Sequence, residues 1–170
     1  PRGRAMGMTQ QFPEKDKYIY KREYMLDRLA VMLGGRAAER LAIGTTTSGA
    51  ENDLKQATQL ARRMVLDWGM SEEIGPLAFG GESEEVFLGQ EIAQRRSYSE
   101  KTAHQIDLEI KRIVENAYER ASETLRENRD HLDHLAEILL EREEIPGEEV
   151  LSLVKEFEED ESSSDQSQHA

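Results

Sequence analysis

Residues 48–69 read SGAENDLKQATQLARRMVLDWG and decide the fold class of the surrounding chain. Their apolar residues recur at three- and four-residue spacing: Leu54, Ala57, Ala61, Met64, Val65 and Trp68. This is the period of an amphipathic helix with one buried face, so Trp68 is expected in the core. Ser48 or Asn52 is expected to cap the start of this helix, and Gly69 stands where a helix commonly ends.

The same helical period appears on both sides of this stretch. Before it, residues 21–41 place Met25, Leu29, Met32 and Leu33 on one face. After it, Ser99 opens the longest pattern, and a break near 128–130 and another at Pro146 precede two shorter helices. Residues 1–20 instead alternate around Met6 and carry glycine and proline, which favours a short strand and a loop. The predicted fold is mainly α, a helical bundle with a short N-terminal β element.

Composition limits what the chain can do. It has 170 residues and a net charge of -13, which disfavours binding to nucleic acid or to anionic lipid. It has no cysteine, so a disulfide framework and thiolate metal sites are excluded. Residues 158–170 contain no apolar residue except the final alanine and are expected to be an acidic disordered tail behind one domain at 1–157.

Histidine, aspartate and glutamate are then the side chains left for metal binding. Two of the four histidines, His131 and His134, form H-L-D-H on one predicted helix. A zinc-protease helix needs H-E-x-x-H, because that spacing turns both imidazoles toward one metal and supplies a general base. The three-residue spacing here favours solvent-facing or cap-region histidines.

Asp53 falls in the first turn of the predicted helix, directly after a glycine-containing loop. The helix dipole and the free backbone N–H groups stabilise a carboxylate at such a place. Spacing alone favours an ordinary helix-start acid over a metal ligand.

Five collinear blocks nevertheless resemble the peptidase domain of FtsH-type proteases, and the resemblance as a whole covers about residues 1–155. In chain order they are PRGRAMGMTQQFPEKDKY, GGRAAERLAIG, SGAENDLKQAT, ARRMVLDWGMSEEIGPLAF and EVFLG. The resemblance implies the C-terminal part of a zinc-peptidase domain, truncated at its N-terminal side. It also implies a zinc ion as cofactor, with ATP and Mg²⁺ bound by a separate upstream ATPase module.

The resemblance assigns roles to particular residues. Asp53 matches the third zinc ligand of the family, beside the two histidines of an H-E-x-x-H helix. Glu39 matches an acid close to the metal, where it would orient a ligand histidine. The segment Gly3, Arg4, Ala5 and Met6 resembles the edge strand of the substrate cleft, where an unfolded chain would add by backbone hydrogen bonds.

The 170 residues contain neither H-E-x-x-H nor a Walker A motif, and no apolar run long enough to cross a bilayer. We therefore expect this chain by itself to hold zinc weakly and to cleave nothing. In the full-length protein the resemblance implies a homo-hexamer that degrades unfolded or membrane proteins. Its expected setting is the cytoplasmic face of a bacterial membrane, reached through an upstream anchor, with a plastid membrane as the weaker alternative. The competing hypothesis is a non-catalytic helical module for oligomerisation or partner binding, from a degenerate protease homologue.

Overall fold

The computed structural model describes residues 19–79 and 98–155, and helices account for most of these residues. They are α1 (Arg22–Ile43), a 3₁₀ turn (Ser48–Ala50), α2 (Glu51–Leu66), α3 (Glu100–Glu127) and α4 (Arg129–Arg142). Residues 147–155 are also helical, and no strand occurs in the described ranges. The mainly α prediction is confirmed, whereas the expected β element before residue 19 and the tail at 158–170 lie outside the described residues.

The chain divides into two compact units, residues 1–123 and 124–170. In the first unit, α1, α2 and α3 contribute to one buried apolar cluster. Its largest fully buried side chains are Leu29, Leu33, Met64, Val65 and Ile106. Ala57 and Ala61 on α2 are completely buried, and residues this small allow α1 and α2 to pack closely.

The C-terminal end of α2 corrects one prediction. The helix ends at Leu66, Gly69 is left-handed with a φ of 58°, and the Met70 N–H donates to the Met64 carbonyl at 2.8 Å. Trp68 therefore lies beyond the helix and is 37% exposed. Its ring stacks under the Arg63 guanidinium at 4.7 Å instead of entering the core, so the core assignment was wrong.

The capping residue of the loop before α2 was also predicted wrongly. The capping position directly before α2 is occupied by Ala50, and no side chain forms a capping hydrogen bond there. Ser48 and Asn52 therefore do not cap the helix. The capping side chain belongs to Thr47, whose hydroxyl accepts a hydrogen bond from the Gly49 N–H at the 3₁₀ turn. Before α3, in contrast, Ser99 accepts from the Thr102 N–H as expected of a helix start.

A buried carboxylate holds the segment after α2 against α3. Glu109 on α3 is only 3% exposed, and its Oε1 accepts from the Ser71 hydroxyl at 2.8 Å. Arg112 donates to both Glu109 oxygens, at 2.7 and 2.8 Å. The Ser71 oxygen in turn accepts from the Ile74 N–H, and Arg22 of α1 donates to the Met70 carbonyl. This network fixes residues 70–74 to both α1 and α3.

In the second unit, Asn128 separates α3 from α4, which agrees with the predicted break. Pro146 begins the next helical segment, because its carbonyl accepts from the N–H groups of Glu149 and Val150. Arg142 and Glu149 form an ion pair between these two helical segments. Leu140 of α4 is 85% exposed, and α4 has no fully buried residue.

Candidate metal centre

The candidate site lies at the junction of α1 and α2. Gly44 ends α1 in a left-handed conformation with a φ of 74°, and its N–H donates to the Arg40 carbonyl at 3.2 Å. Glycine adopts this conformation without a steric penalty, so the chain can turn sharply here. Only residues 45–47 then separate this turn from the 3₁₀ turn that leads into α2.

The carboxylate of Glu39, on the last turns of α1, reaches across to this connecting loop. Its Oε2 accepts from the Thr47 N–H at 3.0 Å, and its Oε1 accepts from the Thr47 hydroxyl at 2.8 Å. The backbone and hydroxyl hydrogen bonds of Thr47, assisted by the charge of Arg36, lower the pKa of Glu39 below its ordinary value. Glu39 is therefore ionised at neutral pH and ties α1 to the loop before α2.

Asp53 lies in the first turn of α2, and its side chain is exposed. Within residues 19–79 and 98–155, no donor or cation pairs with its carboxylate. Asp53 thus presents a carboxylate oxygen, a normal zinc ligand, that no side chain of the described ranges engages.

The described residues do not complete a zinc site around Asp53. No group of three or more histidine, aspartate or glutamate side chains in these residues is placed to hold a metal. His104 is exposed on α3, and His131 contacts the Asn128 side chain at 3.0 Å at the start of α4, as predicted for a cap-region histidine. Asp53 fits one ligand position, and the remaining ligands would have to come from outside the described ranges.

Comparison with known proteins decides the family. The profile of peptidase family M41 matches residues 1–153, which is most of the chain. The chain belongs to peptidase family M41.

Individual relatives agree with this assignment. The chain is 56% identical to the ATP-dependent zinc metalloprotease FtsH 2 of Salinibacter ruber, over 91% of this chain and 22% of the relative. It is 54% identical to the FtsH of Thermotoga maritima, over 92% and 26%, and 52% identical to that of Nitrosococcus oceani, over 94% and 25%. The chain thus spans about a quarter of the length of these relatives.

The match to family M41 includes every site residue expected from the sequence. Asp53 and Glu39 lie 14 positions apart along the chain and are connected through the loop that Thr47 holds. Gly3, Arg4, Ala5 and Met6 fall outside the described residues, so their substrate role stays a prediction. None of the helices in the described ranges has the length and apolar character needed to cross a membrane.

Sequence reasoning missed Thr47. A signal was present, because threonine is a favoured residue at the start of a helix. This signal does not single out one residue, because Thr45, Thr46 and Thr47 are consecutive and the path of the loop decides which of their side chains faces Glu39.

Proposed function

We propose that this chain forms the C-terminal part of the peptidase domain of an ATP-dependent zinc metalloendopeptidase, with Asp53 as one of three protein ligands to the zinc. The observation that carries the proposal is the exposed carboxylate of Asp53 at the start of α2, inside the region that matches family M41. The relatives are named ATP-dependent zinc metalloproteases, which supports the same metal and reaction.

The role of this chain in that reaction is to hold the metal. A catalytic zinc keeps three protein ligands and one open position, and it activates water for attack on a peptide carbonyl. Asp53 would contribute one oxygen ligand from a rigid helix start. Glu39 would order the loop before that helix and, as the resemblance suggests, orient a ligand histidine.

The wider assembly belongs to the same proposal. Gly3, Arg4, Ala5 and Met6 would bind an extended substrate backbone, so unfolded and membrane proteins of many sequences would be accepted. ATP and Mg²⁺ would be bound by a separate ATPase module, and the full-length protein would act as a homo-hexamer anchored to the cytoplasmic face of a bacterial membrane. The net charge of -13 supports protein rather than nucleic-acid substrates.

We further infer that the 170-residue chain alone does not cleave peptide bonds. It contains no H-E-x-x-H sequence, so neither a histidine pair at zincin spacing nor its general base is present. Incubating the purified chain with casein and zinc should release no peptides. Zinc-dependent cleavage that copurifies with the chain through successive columns would contradict this inference.

The ligand assignment is tested in the protein encoded by the full open reading frame. Asp53→Asn keeps the size of the side chain and removes its charge, so bound zinc and casein cleavage should both fall at least about tenfold. Asp107→Asn, an exposed aspartate of α3, is the matched control and should change neither. If Asp53→Asn retains full zinc content and activity, Asp53 is not a ligand. If the wild-type full-length protein binds no zinc, the proposed function itself is wrong.

A further inference from the structure

Thr47 forms hydrogen bonds both to Glu39 near the end of α1 and to the 3₁₀ turn that precedes α2. Thr47 donates from its backbone N–H to Glu39 Oε2 at 3.0 Å and from its hydroxyl to Glu39 Oε1 at 2.8 Å. The same hydroxyl accepts from the Gly49 N–H at 3.1 Å. A hydroxyl is able to donate and accept at once, so the Thr47 hydroxyl links the Glu39 carboxylate to the backbone of the 3₁₀ turn. We call this hydrogen-bonded chain, Glu39–Thr47–Gly49, the relay.

The space around this relay is tight. A Cβ atom placed on Gly49 would lie 3.2 Å from the Thr47 hydroxyl oxygen and 3.5 Å from Glu39 Oε1. The backbone of the turn therefore passes directly beside the two polar side chains. A displacement of Thr47 would move the turn with it.

The 3₁₀ turn is continuous with the helix that carries Asp53. Ser48–Ala50 form the 3₁₀ turn, α2 begins at Glu51 without an intervening loop, and Asp53 lies in its first turn. Ala50 is only 7% exposed and anchors the junction in the protein interior. Hydrogen-bonded structure therefore continues from Thr47 through the 3₁₀ turn into the first turn of α2.

From this geometry we propose that Thr47 is a positioning residue for the zinc ligand Asp53, and that Glu39 acts on Asp53 through Thr47. The inference rests on the proposed function, because it assumes that Asp53 binds zinc. Pre-positioning matters for a metal ligand, because a ligand that must be ordered during binding lowers the affinity. Thr47 itself touches neither metal nor substrate in this proposal.

Three variants distinguish the loss of the Thr47 hydroxyl hydrogen bonds from a general destabilisation of the loop. Thr47→Val keeps the size and the β-branch but removes the hydroxyl, whereas Thr47→Ser keeps the hydroxyl. Thr45→Val makes the same chemical change two residues earlier, at an exposed side chain that forms no hydrogen bond within the described residues.

The first measurement is hydrogen exchange on the 170-residue chain, which needs neither zinc nor activity. Thr47→Val should speed amide exchange in residues 47–54 several-fold and leave the buried part of α1 unchanged. Thr47→Ser and Thr45→Val should exchange like the wild type. Unchanged exchange in Thr47→Val would show that the hydroxyl does not order the turn and would overturn the inference.

The second measurement is zinc affinity of the full-length protein by competition with a chelator. Thr47→Val should raise the dissociation constant about 10-fold or more, and Thr47→Ser should restore the wild-type value. If Asp53→Asn abolishes zinc binding but Thr47→Val does not weaken it, the positioning role is wrong and the ligand assignment stands. If Asp53→Asn leaves zinc binding intact, the ligand assignment fails, and the positioning role of Thr47 fails with it.

Discussion

Replacing Glu109 by glutamine tests how the segment after α2 is held against α3. The carboxylate is 3% exposed and accepts three hydrogen bonds, two from Arg112 and one from Ser71. Glutamine has nearly the same shape but offers one oxygen acceptor and an NH₂ group. In either orientation that NH₂ group would face an Arg112 donor, and in one of them it would also face the Ser71 hydroxyl, whose oxygen already accepts from Ile74.

The size of the effect follows from these contacts. A hydrogen bond to a charged group contributes about 1.5–3 kcal/mol net. Arg112 is 47% exposed, so water compensates part of its loss, and we expect a total decrease in unfolding free energy of about 1.5–3 kcal/mol. For a chain of this length that corresponds to a Tm lower by roughly 3–12 °C.

The pH dependence gives the prediction a second readout. Hydrogen bonds from Arg112, and then from Ser71, lower the pKa of Glu109 below 4.5 although burial opposes them. The ionised carboxylate therefore stabilises the fold fully above about pH 4.5, and this contribution is lost as the pH falls through the lowered pKa. The difference between wild type and Glu109→Gln should be full at pH 7 and shrink toward pH 3.

Urea unfolding followed by tryptophan fluorescence is the appropriate assay. Trp68 is the single tryptophan of the chain and lies in the same unit, three residues before Ser71. Glu119→Gln, at an exposed position of α3, removes the same charge from the acidic chain and serves as control. Equal urea midpoints for the two variants at pH 7, or a difference that does not change with pH, would refute this account of Glu109.

Two further substitutions probe the first unit by the same assay. Leu29→Ala removes a fully buried side chain of α1 and should cost about 2–5 kcal/mol; a loss no larger than that of Leu140→Ala, at an 85% exposed position, would contradict the assigned core. Gly69→Ala forces a side chain onto a φ of 58° and puts its Cβ 3.3 Å from Pro76 Cα, so it should cost at least about 1–2 kcal/mol. A neutral or stabilising result there would mean that α2 does not end as described.

The helices were predictable because their apolar faces are encoded locally. Leu29 and Leu33, like Met64 and Val65, are buried at the spacing that the sequence shows. The prediction failed at Trp68, since periodicity does not reveal where a helix ends. The left-handed Gly69 and the hydrogen bond from Met70 to Met64 close α2 earlier and turn the indole toward Arg63.

The buried network around Glu109 shows a second limit of prediction from sequence, which concerns contacts between residues far apart along the chain. Glu109 lies between Ile106 and Ile113 on the apolar face of α3, and a charged residue at such a position indicates a buried polar contact. Its partner Ser71 is 38 residues away along the chain. No local pattern connects residues at that separation, so the partner was visible only in the folded chain.

At the candidate site, too, residue spacing alone was insufficient to predict the role and the partners of the side chains. Residue spacing described Asp53 as an ordinary acid at a helix start, and the surrounding motif was needed to indicate zinc. Glu39 was expected to orient a histidine, yet its two oxygens both accept hydrogen bonds from Thr47. The two roles are compatible, because a carboxylate has about four acceptor positions and Thr47 uses two of them. In the proposed site, Glu39 would then order Asp53 through Thr47 and a histidine directly, whereas a neutral amide has a single oxygen for the two Thr47 donors.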